Sequence, residues 1–206
     1  WTNATRKAFY SKDQGSQLMP LSWLKALKTA DGAPFLFDSL ARYGYLPDTF
    51  RTNGLPVGFT SSFSFKPMVG MTCAACHTRD ITRDGFTYRV DGGPALSDFQ
   101  GFLVDLVDAV GRVKDPGPAF DAFARAVLGG WASQGAKKQL QADLQLWYLR
   151  EDTLRQRAYG TPDMWGLGRL DAVSMIFNRL TGLDLGPAPS YLIPDNIQPA
   201  DAPTRY

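Results

Sequence analysis

Histidine occurs once in these 206 residues and cysteine only twice. So small a supply of thiol and imidazole leaves too few ligands for a structural zinc site, which takes four. A long apolar run is also missing. No stretch approaches the roughly 18 to 20 residues that cross a bilayer, and the longest, Phe99 to Val110, is broken by Asp105 and Asp108. Charge of one sign is lacking too: 22 Lys and Arg face 20 Asp and Glu, scattered along the chain. With no basic stripe for phosphates, nucleic acid is not an expected partner. The opening Trp1 to Lys7 lacks the basic start, apolar middle and small-residue cleavage site of a signal peptide, which reads as a leader removed or not included. What is present is 44% apolar, enough to bury a core as one domain or two small ones.

Both cysteines and the one histidine fall within five residues, Cys73-Ala74-Ala75-Cys76-His77. Cys-x-x-Cys-His is the attachment pattern of a c-type haem. Two thiols three positions apart on a helical turn reach the two vinyl groups of one porphyrin, and the adjacent imidazole serves the iron. A disulfide or thioredoxin-like pair would use the same cysteines, but it expects a βαβ setting and leaves the histidine unexplained. Zinc would need a fourth ligand and a wider spacing. The expected cofactor is therefore one covalent haem c on Cys73 and Cys76, with His77 as proximal iron ligand. In bacteria that attachment takes place outside the cytoplasmic membrane, so the expected location is periplasmic or secreted.

Apolar spacing predicts short helices at Trp23 to Leu27 and Pro34 to Ala41, then an ordered, Gly- and Pro-rich loop from Gly44 to Phe65. Asp84-Gly85 between Ile81 to Arg83 and Phe86 to Val90 predicts a type I′ hairpin, the only β element expected. Ser97 and Gln100 have capping-box spacing ahead of a helix with Phe99, Phe102, Leu103, Leu106 and Val110 on its apolar face. Further helices are predicted at Pro118 to Leu128, Gly135 to Arg157 and about Leu167 to Thr181. The expected fold is mostly α, a cytochrome c-like helical domain around one haem over residues 1–206. Residues 187–206 form its Pro-rich connector or tail, which needs a surface to dock on.

Leu55-Pro-Val-Gly-Phe59, Val69-Gly-Met-Thr-Cys-Ala-Ala-Cys-His-Thr78, Arg89-Val-Asp-Gly-Gly-Pro-Ala95 and Gly168-Arg-Leu-Asp-Ala172 with Asn178-Arg179 follow one another along the chain. In that order they resemble the N-terminal haem half of bacterial dihaem c-type cytochromes related to rubber oxygenases and, more distantly, to dihaem cytochrome c peroxidases. The resemblance covers residues 9 to 206. It implies a second haem half beyond residue 206, and a dioxygen-binding face without a protein ligand near aromatic side chains. Trp165 and Phe177 are the aromatics of the matching segment.

With His77 used, no second histidine can complete the iron's coordination, so the other face takes a methionine or nothing. Of Met19, Met68, Met71, Met164 and Met175, Met164 is best placed, in an irregular segment downstream of the motif; Met71 is too near the attachment turn. Met164 as ordinary apolar filler is the plain alternative, and Lys66 a weaker ligand. Arg89 or Arg169 would neutralise a haem propionate, since a guanidinium matches a carboxylate bidentately. For Arg169 with Asp171 the plainer reading is an ion pair or a cap, and Asp91 before Gly92-Gly93 reads as a turn former. The leading functional reading is electron transfer to a redox protein or to a second haem half. Haem-dependent oxygenase or peroxidase chemistry is its rival, and a haem-bearing subunit of a larger assembly the third possibility.

Overall fold

The computed structural model describes residues 1–51, 53–62, 65–160 and 165–206. They divide into two compact units, the first holding residues 1–98 with 205–206 and the second residues 99–204.

In the first unit, Thr2 caps α1 (Asn3–Ser11) by accepting from Thr5 N at 3.2 Å. A short strand, β1 (Met19–Pro20), leads into α2 (Leu21–Ala26). The helix expected at Pro34 to Ala41 does not form. Asp38 accepts instead from the backbone N–H of Leu40 and Arg42, at 3.0 and 2.8 Å, and Ser39 and Leu40 turn left-handed at φ 51° and 63°. A local carboxylate thereby offers the backbone an alternative to helix. Strands β2 (Phe59–Ser61) and β3 (Met68–Met71) join β1 in an antiparallel sheet of order β1-β3-β2, with Met19 opposite Val69 and Thr60 opposite Gly70. The attachment turn α3 (Cys73–Cys76) follows directly. β4 (Thr78–Arg83) and β5 (Phe86–Asp91) then make the predicted hairpin, with Asp84 and Gly85 at φ 52° and 80° as a type I′ turn requires.

The second unit is built on α4 (Phe99–Gly111), α5 (Pro118–Leu128) and α6 (Gln134–Ala158), within a residue of their predicted bounds where these were given. The apolar face of α4 buries Phe102, Leu103, Leu106 and Val110, and Arg155 of α6 clasps Asp108 of α4 at 2.5 Å. The helix expected from Leu167 starts later: β6 (Arg169–Leu170) precedes α7 (Ala172–Phe177), which continues as a π-helical segment over Asn178–Leu183. Asp171 is the reason, because its carboxylate caps α7 by accepting from Ser174 N at 3.0 Å. Within the Pro-rich segment, Ile197 and Ala200 are buried, and Ala200 N bonds the Ala158 carbonyl at 2.9 Å.

The mostly-α, cytochrome c-like helical expectation is therefore corrected. The described chain is 43% helical and 14% strand, a mixed α and β protein with three small sheets. Strands of two to four residues whose partners lie far along the chain show no period-2 signal, so only the locally encoded hairpin could be read from sequence.

Candidate functional site

The attachment turn is held at both ends, mainly by backbone. Thr72 caps α3, accepting from Ala74 N at 3.2 Å, and its own N–H bonds the Gly58 carbonyl at 2.7 Å. Gly58 has φ +78°, and a Cβ there would lie 2.0 Å from Ala75 N. No other residue type can bring its backbone this close to the turn. Downstream, Ala95 N bonds the Cys76 carbonyl at 2.9 Å and Gly92 N the His77 carbonyl at 2.7 Å. The segment from Arg89 to Ala95 is thus clamped onto the motif.

Below the turn, Ala74 packs with Tyr10 and Val57, flanked by Phe9, Leu46 and Phe50. Asp91 locks α1 in place, accepting from Trp1 Nε1 at 2.9 Å, Arg6 Nε at 2.6 Å and Tyr10 OH at 2.7 Å. It is a three-donor anchor rather than a turn former. Nothing in the sequence pattern announces this, because its partners lie 81 to 90 residues away.

The two thiols are free, Cys73 exposed and Cys76 half-buried. Burial, with the nearby Cys73, pushes the Cys76 thiol up to about 12. His77 makes no side-chain hydrogen bond among the described residues; its ring meets the edge of Tyr206 at 6.5 Å between centroids. The Tyr206 hydroxyl donates to the Ser97 carbonyl at 3.1 Å. Among the described residues, no three Cys, His, Asp or Glu side chains gather as a cage for an ion. Two more polar atoms stand out beside the motif: Thr78 Oγ1 and Arg79 Nε are buried without a hydrogen-bond partner.

The remaining candidates fall as follows. Arg89 is committed to Asp80 through two bonds of 2.8 Å and to the Pro47 carbonyl at 3.0 Å, and those bonds hold the Asp80 carboxyl below the usual range. Arg169 is exposed, in the second unit. Trp165 is fully buried in that unit's core, its indole N–H bonded to the Ala200 carbonyl at 2.8 Å and its ring against Phe99 and Tyr159. Phe177 stands 60% exposed on α7, in a row with Val173, Ile176 and Leu180. Met164 lies outside the described residues. Met19 is fully buried; Met68, Met71 and Met175 are half-buried. Gln100 reaches Tyr159 O at 2.5 Å and accepts from Trp165 N at 3.1 Å, so its amide serves the core of the second unit.

No helix among the described residues is long and apolar enough to cross a membrane. The chain is similar to y4iJ of Sinorhizobium fredii, an uncharacterized protein, at 35% identity over 93% of this chain. It spans 37% of that relative's length. No protein-family model matches the chain, and no solved structure matches it.

Proposed function

We propose that this chain carries one covalent c-type haem on Cys73 and Cys76, with His77 as an iron ligand, and passes single electrons in the periplasm or beyond. The observation that supports this most is the concentration of the chain's only cysteines and only histidine on one capped turn. The residues present suit the group: two unbonded thiols, an imidazole with no competing hydrogen bond among the described residues, and a buried guanidinium nitrogen lacking an acceptor. Bound there, the haem would supply a one-electron iron couple whose potential its axial ligands and surroundings set.

The chain's own part is to hold its ligands still. Gly58 and Thr72 fix the start of the turn, Gly92 and Ala95 fix its end, and the ring of Tyr206 lies edge-to-face with the imidazole. Rigid ligands change little between oxidation states, which suits transfer of an electron to a protein partner or a second haem. The resemblance to dihaem cytochromes, and with it the oxygenase or peroxidase reading, rests on short motifs alone.

The test is the chain expressed with a haem-attachment system and run on a denaturing gel. Haem that stays with the polypeptide, with the mass of one group, is expected; Cys73→Ala with Cys76→Ala must lose it. Protein without covalent haem would end this reading. Carbon monoxide then separates the functions, because a six-coordinate carrier resists the gas and an open oxygen site takes it up.

A further inference from the structure

The β4–β5 hairpin is inside out. Pairing sets Arg79 opposite Val90, Ile81 opposite Tyr88 and Arg83 opposite Phe86, and strand alternation puts these six side chains on one face. The other face carries Asp80, Arg89 and Asp91, whose bonds to each other's strand, to Pro47 and to α1 tie it to the rest of the unit. The polar face therefore turns inward, while Val90, Tyr88, Ile81 and Phe86 stand 39%, 58%, 46% and 67% exposed. An apolar row turned to water is explained by something that covers it.

The near end of that row supplies the second observation. Arg79 follows His77 by two residues and is half-buried, and its Nε is fully buried without a partner. No side-chain hydrogen bond or ion pair ties Arg79 to the other described residues. Arg83, at the far end, is 84% exposed beside Asp84. A guanidinium nitrogen buried at the base of the hairpin with no acceptor is costly, whereas a guanidinium that meets a carboxylate gains a strong bidentate bond. The haem periphery combines an apolar edge with two carboxylates.

We infer that Arg79 binds a haem propionate and that the outward row Val90, Tyr88 and Ile81 is the wall against which the edge of the macrocycle lies. This rests on the haem reading above. Arg79 was not among the arginines that sequence alone suggested, because its fitness for the role lies in its burial and lack of a partner.

The test uses the haem-loaded protein and its variants Arg79→Gln, Arg79→Lys and Arg83→Gln. Removing a cation beside a propionate destabilises the reduced state, so Arg79→Gln should lower the midpoint potential and shift the propionate bending band in the resonance Raman spectrum. Arg79→Lys should restore part of the potential but not the bidentate band position, and Arg83→Gln should leave both unchanged. Tyr88→Ser should weaken the Soret circular dichroism, which reports aromatic side chains against the haem. Should Arg79→Gln not accumulate, Arg79→Lys decides by the band alone. Equal potentials and bands in wild type and both Arg79 variants, or an unaltered Soret signal in Tyr88→Ser, would overturn the inference. Wild-type protein without covalent haem would overturn the underlying reading instead, so the two failures are told apart.

Discussion

The two units solve the same problem with different chemistry. The second spends its sequence on long helices, α6 alone covering 25 residues, and buries apolar side chains from each, such as Phe102 and Leu106 of α4, Phe123 of α5 and Leu144 of α6. The first has no helix longer than the nine residues of α1 among its described residues, and it is held by side chains and carbonyls that reach far along the chain. Helix packing tolerates local substitution, because many small contacts share the load. A turn clamped by individual backbone bonds does not. The contrast teaches why the unit that holds the candidate site is the less regular one: a cofactor turn has to be fixed atom by atom.

The largest expected effect breaks that clamp. Gly58→Val places side-chain carbon where the Ala75 backbone already sits and forces a β-branched residue to positive φ. A loss of about 3 kcal/mol or more is expected, together with failure of haem attachment. Hydrogen exchange should show the first unit opening while the α4 and α6 amides stay protected. Equal loosening of both units would erase the contrast. Next comes Gln100→Leu, the mirror experiment in the second unit, which leaves Tyr159 O and Trp165 N without their partner. It should cost about 2 kcal/mol in urea unfolding. Asp91→Asn should cost about 1 to 2 kcal/mol by weakening two bonds from α1 and one from Trp1 ahead of it, with α1 amides exchanging first.

The units should also differ in the sign of a pH response. Arg89 lowers the Asp80 carboxyl, so its contribution is fully present above the ordinary Asp range and is lost as pH falls through the lowered value. Burial raises the Glu151 carboxyl despite Arg179 at 3.1 Å. There the native state binds the proton more tightly than the unfolded chain, so stability declines as pH rises from the ordinary Glu value of about 4.3. Thermal melts across pH should show Asp80→Asn flattening the acid limb and Glu151→Gln flattening the decline above it. The smallest effect belongs to Phe177→Ser, on a side chain 60% exposed, which should stay within about 0.5 kcal/mol.

Sequence by itself determined what could be encoded locally. The spacing of Cys73, Cys76 and His77 is local, and so are the Asp84-Gly85 turn and the apolar periods of α4, α5 and α6. Each of these follows from residues within a few turns of one another, so each was legible. The tertiary structure alone decided the three-stranded sheet, whose strands are too short to show a period, and the left-handed turn that replaced the helix after Pro34. It also decided which polar groups were taken and which were left. Arg89, the better candidate by motif, is committed to Asp80, while Arg79 has a buried nitrogen with no acceptor. Whether a charged group is free to bind depends on what the rest of the chain brings to it, and residues distant in sequence meet only when the chain has folded.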